Sequence, residues 1–168
     1  MSDAPLVGIL MGSPNDWPTI EKGVAVLDEL GIPHDVRVLS AHRTPDAVHE
    51  YASTAADRGI KVLVGCAGMA AHLAGVLAAV SNLPVIGVPL SGGVADGLDA
   101  LLATVQMPKG IPVATVAVDG TQNAAWLAAR ILALTDDDIA KRLAEARDTE
   151  RDRMAQADAE IQAKARRE

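Results

Sequence analysis

Lys61-Val62-Leu63-Val64-Gly65-Cys66 runs without a break into Ala67-Gly68-Met69-Ala70-Ala71-His72-Leu73-Ala74-Gly75, and the chain stays apolar to Val80. The first six residues are dominated by apolar side chains with no alternation, as in a strand covered on both faces. Small residues then carry the chain into a helical pattern. Two more segments repeat this handover. Asp35–Leu39 leads into Ser40-Ala41-His42-Arg43-Thr44-Pro45, and Leu6–Met11 leads into Gly12-Ser13-Pro14-Asn15-Asp16-Trp17-Pro18. Val85–Val88 and Val113–Val118 complete a set of five strand-like runs. Helical patterns cover Asp16–Leu30, Pro45–Arg58, Ala70–Val80, Asp96–Val105 and Thr121–Leu134, with Gly31 and Gly59 as stop signals after the first two. Such alternation predicts an α/β fold, a three-layer α/β/α sandwich with a parallel five-stranded sheet and right-handed crossovers. Loops that follow parallel strands share one sheet edge, so His42 and His72 can face one pocket although thirty residues apart.

The chain of 168 residues suits one domain, and its 49% apolar content excludes wholesale disorder. Trp17, Tyr51 and Trp126 are its three aromatics. Val, Leu, Ile and Ala must therefore fill the core, which favours close helix packing and burial shared between subunits. A formal charge of −7, without a Lys/Arg cluster or stacking aromatics, argues against nucleic acid as a partner. An acidic protein holds an anionic metabolite through local donors, against its own field. The single Cys66 excludes an internal disulfide, and the four histidines have no metal-ligand spacing. His72, Asn82 and Pro84 interrupt the apolar stretch Val62–Val88, so no membrane span is expected. No signal peptide is evident at Met1-Ser2-Asp3-Ala4-Pro5, and a cytoplasmic location is the default. Residues 1–135 read as the α/β catalytic part. Residues 136–168 are Ala- and charge-rich with a thin stripe of Ile139, Leu143, Met154 and Ile161, and read as a long C-terminal helical arm of the same domain, either solvated or lying on a neighbouring subunit.

The junctions carry the chemistry. Ser13, Asn15 and Asp16 are favoured helix caps; the functional reading is that backbone N–H groups and Ser13 bind phosphate or ribose oxygens and that Asp16 accepts from ribose hydroxyls. Thr44 reads as an N-cap with Pro45 at the first helical position. Arg43 therefore stands beside a helix N-terminus, where a guanidinium suits a phosphate monoester. His42, with Ser40 on the same turn, supplies a side chain of the one type whose ordinary pKa, about 6.5, lies near neutrality. The loop with Gly65, Gly68 and Gly75 lacks the dinucleotide fingerprint and lets backbone approach a flat ligand. His72 on its helix either orients a ligand or caps a packing contact. Cys66 at a strand end reads as buried and inert rather than nucleophilic. His34 and His49 read as surface residues, and Gly92-Gly93 and Gln106–Pro112 as flexible segments.

Together, MGSPNDW, SAHRTPD, GCAGMAAHLAG, PVIGVP and VQMPKGIPVATVAV, in that order over residues 6–134, resemble the bacterial N5-carboxyaminoimidazole ribonucleotide mutase family of purine biosynthesis. The resemblance implies a flavodoxin-like subunit of a homo-octamer, active sites at subunit contacts, and no metal or organic cofactor. It implies that a carboxylate moves from the exocyclic nitrogen of an aminoimidazole ribonucleotide to ring carbon C4. By the same resemblance Ser13, Asp16, Ser40 and Arg43 bind the ribonucleotide and His42 is the acid/base. Ala67, Gly68, His72 and Leu73 belong to the loop over the imidazole and carboxylate. Met69 stands where the family commonly has Gly, and Ala74 where many members have Pro; both alter loop rigidity and neither removes a donor. Two other readings remain in view: an aminoimidazole ribonucleotide carboxylase using free carbon dioxide, and a non-catalytic flavodoxin-like nucleotide-binding module. The carboxylase branch generally lacks the Ala-His-Leu form of the loop.

Overall fold

Parallel pairing joins five strands in the spatial order β2-β1-β3-β4-β5 in the computed structural model, which describes residues 4–166. The strands are β1 (Val7–Met11), β2 (His34–Val38), β3 (Val62–Gly68), β4 (Val85–Leu90) and β5 (Ala114–Thr115). Between and after them run α1 (Trp17–Glu29), α2 (Pro45–Ser53), α3 (Leu73–Val80), α4 (Leu98–Val105), α5 (Thr121–Leu132) and α6 (Asp137–Ala165). This is the flavodoxin-like α/β/α order, whose ligand crevice lies outside the carboxyl ends of the strands.

Alternating strand residues feed two cores. Val7, Ile9 and Met11 of β1 pack with α1, α5 and the start of α6, whereas Leu10 and Leu63 pack with α2 and α3. The expected reliance on Ala is visible at α5, where Ala124, Ala125, Ala128 and Ala129 are all buried. Close approach follows from it. A Cβ on Gly23 of α1 would stand 2.6 Å from the Thr121 carbonyl oxygen at the start of α5. On the other face, a Cβ on Gly65 would lie 2.8 Å from the Ala74 Cα of α3. Because backbone cannot yield as a side-chain end does, Gly65→Ala lowers stability by about 1–3 kcal/mol, read as a lower urea midpoint at constant m-value. It also pushes away the helix that carries His72.

Several boundaries differ from the sequence pattern for local reasons. α3 opens at Leu73 rather than Ala70, since Met69 takes φ +52° and breaks the turn before it. α4 opens at Leu98 rather than Asp96, because Ala95, Asp96 and Gly97 are all left-handed. α2 stops at Ser53 instead of Arg58; tighter turns carry the chain to Gly59, itself at φ +94°. β5 keeps only two of the six expected residues, although the Val116 and Asp119 N–H groups still donate to Gly87 and Pro89 of β4. His34 is not a surface residue: it opens β2 half-buried, its Nδ1 3.0 Å from the Ile32 carbonyl oxygen. His49 is exposed as expected.

α6 has 29 residues and is about 43 Å long. The Asp136 carboxylate caps it through the Ile139 N–H at 2.9 Å. Ile139 is buried against α5, and the Arg142 side chain donates to the Leu30 carbonyl at 2.7 Å. Past Ala146 almost every residue is exposed, and Glu150 and Arg153 pair with each other on its surface. Among the described residues no helix is long and apolar enough to cross a membrane.

Candidate active site

At the carboxyl end of β1 the chain turns through Gly12 into Ser13, which has extended dihedrals. The Ser13 hydroxyl accepts from the Asn15 N–H at 3.2 Å, and the Asp16 carboxylate accepts from the Ser13 N–H at 3.1 Å. These reciprocal bonds form a capping box that fixes one short turn ahead of α1. Both capping side chains remain half-buried at the sheet edge.

The loop after β2 is stapled internally. Ser40 donates its N–H to the Thr44 hydroxyl at 2.9 Å, and the Ser40 hydroxyl accepts from the Arg43 N–H at 3.3 Å. Thr44 holds the N-cap position with Pro45 behind it, but its side chain makes no capping bond; it is spent on Ser40. Held this way, Arg43 reaches across and its guanidinium donates to the Gly12 carbonyl, tying the second junction to the first.

The third junction closes the set. Met69 at φ +52° reverses the chain after Gly68, and His72 follows at the N-cap position of α3. Its Nδ1 lies 2.8 Å from Nε2 of His42. The two rings meet edge to face, with centroids 4.9 Å apart and planes at 76°. Both histidines are exposed, so each keeps a second ring nitrogen open to a ligand. Of the other expected residues, Ala67 and Gly68 are half-buried at the end of β3. Leu73 is placed differently: its side chain is 2% exposed and packs in the core, leaving only backbone toward the edge.

Burial sets the electrostatics. Desolvation raises the Asp16 carboxyl above its ordinary value, against the opposing pull of the Ser13 N–H and of Arg43. Cys66 is buried beside β1, and burial, with some help from Asp16, pushes its thiol up to about 12. A thiol so held is no nucleophile, as expected. Because folded Asp16 binds its proton more tightly than the unfolded chain does, its ionised form subtracts stability once pH exceeds the ordinary carboxylate range. Asp16→Asn therefore raises Tm at neutral pH, and the gap closes as pH falls through the raised Asp16 pKa. Thermal unfolding of both proteins across that range reads the effect.

Two features of this edge escaped sequence reading. The Gly12 carbonyl anchors Arg43, and a backbone acceptor leaves no mark in the residue type. Ser91–Gly97, after β4, is a shaped loop and not merely flexible: Ser91, Gly92 and Val94 donate N–H groups to Asp119, Asp96 and Asp99. A Cβ on Gly93 would come within 3.1 Å of the Met69 side chain, so this loop abuts the third junction. The Ser-Gly-Gly run at a strand end was the available signal. A groove of about 460 Å³, lined by residues 78–85 together with Gly110, Ile111, Pro112 and Ala114, lies at the opposite sheet edge and carries no titratable group.

All three junctions fall inside the match to the family model described as AIR carboxylase, which spans residues 6–153. The chain belongs to the AIR carboxylase family. Its relatives include the N5-carboxyaminoimidazole ribonucleotide mutase of Bacillus subtilis, 53% identical over 146 residues that make up 86% of this chain and 90% of that protein. The protein of the same name from Mycobacterium tuberculosis is 49% identical over 160 residues, 95% of this chain and 92% of its own length. Among solved structures, Treponema denticola PurE superposes with a TM-score of 0.85 at 31% identity, covering 94% of this chain and 98% of that one. The similarity of this AIR carboxylase family member covers nearly the full length of these relatives.

Proposed function

We propose that this chain is an N5-carboxyaminoimidazole ribonucleotide mutase, an isomerase of de novo purine biosynthesis. The observation that carries the reading is the joining of three strand-end loops, His42 to His72 and Arg43 to Gly12, beside the Ser13–Asp16 cap. In this reading Arg43 and the Ser13 hydroxyl hold the phosphate, and Asp16 accepts from ribose hydroxyls. Ser40 shapes the Arg43 loop. Ala67, Gly68, His72 and the Leu73 backbone cover the heterocycle and its carboxylate.

His42 starts as an imidazolium and protonates the carbamate nitrogen. The N–C bond breaks, its electron pair stays on nitrogen, and carbon dioxide is released beside the ring. C4 of the electron-rich ring then forms the new C–C bond, and neutral His42 takes the C4 proton. One group serves both steps and ends as it began. Small residues at Ala67, Gly68 and Ala70 leave room for the gas beside the ring, and the subunit contact over them excludes water. Phosphate binding at a distance holds the reacting centre in register.

Residues 1–135 act as the catalytic part and 136–168 as its arm; 1–3 and 167–168 lie outside the described residues. We further infer a cytoplasmic homo-octamer with active sites at subunit contacts. The exposed apolar row Leu98, Leu102 and Val105 on α4, together with the long uncovered α6, supports subunit association. Light scattering tests the octamer. For the activity, a spectroscopic assay supplies purified protein with the carbamate, or with aminoimidazole ribonucleotide and bicarbonate. Conversion of the carbamate is expected to dominate; turnover confined to the bicarbonate arm identifies a carboxylase and overturns the mutase reading.

A further inference from the structure

We propose that His72 is the positioning partner of the acid/base: as a neutral imidazole it accepts the Nε2–H of His42, so that the His42 Nδ1 is the nitrogen that exchanges a proton with the ligand. The inference rests on the mutase reading for its consequence in turnover, though not for the tautomer itself.

A bond between two ring nitrogens needs one N–H and one lone pair. At 2.8 Å, with both rings neutral, two arrangements satisfy the His42–His72 contact. In the first His42 donates, its Nδ1 carries the lone pair, and His72 holds its own hydrogen on Nε2. In the second His72 donates and His42 carries its hydrogen on Nδ1. The proton cycle separates them. A protonated His42 bears hydrogen on both nitrogens, so only a neutral His72 presenting its Nδ1 lone pair can keep the bond. The first arrangement therefore survives both protonation states of His42, with only the Nδ1 proton coming and going. The second must break and re-form at every turnover. A partner that need not reorganise while charge appears on the ring stabilises that charge at least cost.

The place of His72 in the fold agrees. It sits at the N-cap of α3, which fixes where its ring leaves the helix. Ala71 and Leu73, each 2% exposed, clamp its backbone in the core while the ring stands out at the surface. Its Nε2–H is then left free to donate to the migrating carboxylate. His72 thus has two separable duties, one at each nitrogen.

Two amides separate them. Asn places its carboxamide near the ring Nδ1 position and can still accept from His42. Gln reaches the Nε2 position and cannot. His72→Asn is expected to keep kcat within about tenfold of wild type while raising KM, whereas His72→Gln loses about 100-fold or more in kcat with the smaller change in KM. Equal kcat for the two variants overturns the proposal. The second readout needs no turnover: ¹⁵N shifts of the His42 ring, in ligand-free protein at a pH where both imidazoles are neutral. Wild type and His72→Asn are expected to show the Nε2–H tautomer, and His72→Gln a mixture. A wild-type ring with hydrogen on Nδ1 overturns the proposal whatever the activity. The expected tautomer in a protein that does not turn over the carbamate sinks the mutase reading and leaves the histidine pair standing.

Discussion

His42→Asn binds the ribonucleotide about as well as wild type and loses about 10²–10⁴-fold in kcat, the span a positioned acid/base commonly supplies. The physical reason lies in what the two side chains share. Asn is polar and shorter than His, so it disturbs neither Arg43 nor the Ser40–Thr44 staple that shapes the loop. It cannot carry a proton at neutral pH. Both half-reactions need one: the carbamate nitrogen must gain a proton for carbon dioxide to leave, and C4 must lose one for the ring to recover aromaticity. Single-turnover measurements with bound carbamate separate this loss from weaker binding, and calorimetry with the carboxylated product gives the affinity directly. Carboxylate exchange near the wild-type rate would remove His42 from the chemistry.

The same residue shows where sequence reading succeeds and where it stops. His42 and His72 can be placed at one edge from the chain alone, because continuous apolar runs such as Lys61–Cys66 define parallel strands and parallel strands open their loops together. Their direct bond cannot be read in this way. It depends on Met69 adopting φ +52°, which delays α3 to Leu73 and sets His72 at the cap rather than within the first turn. Nothing in the residue type of Met announces a left-handed backbone. Ala95 and Asp96 defeat the helical pattern at α4 for the same reason. Thr44 illustrates a subtler limit: sequence places it correctly at the helix start, yet its hydroxyl is claimed by Ser40, four residues back. The Leu73 side chain, next to His72, is claimed by the core. Local competition for one side chain is settled by tertiary geometry, and propensity cannot see it. The long apolar segments, by contrast, have only one low-energy destination, which is why the order β2-β1-β3-β4-β5 agrees with a fold class read from pattern.

Arg43→Ala weakens ribonucleotide binding by about 10- to 100-fold, given about 1.5–3 kcal/mol for a hydrogen bond to a charged group. In the ligand-free site the guanidinium is held on the Gly12 carbonyl, so the alanine variant loses both a phosphate donor and the tether between the first and second junctions. Arg43→Lys separates these contributions. Lysine keeps the charge but not the planar fork that can hold a carbonyl and a phosphate oxygen at once. If the guanidinium acts chiefly through charge, lysine restores most of the affinity. If it acts through its fork, lysine binds little better than alanine and kcat falls as well, since the loop carrying His42 is no longer fixed to β1. Raising salt adds a third comparison. The wild-type affinity for the phosphorylated ligand falls with ionic strength because salt screens the local attraction between Arg43 and the phosphate. That dependence flattens in Arg43→Ala. An unchanged KM in the alanine variant, with salt dependence intact, would place the phosphate elsewhere.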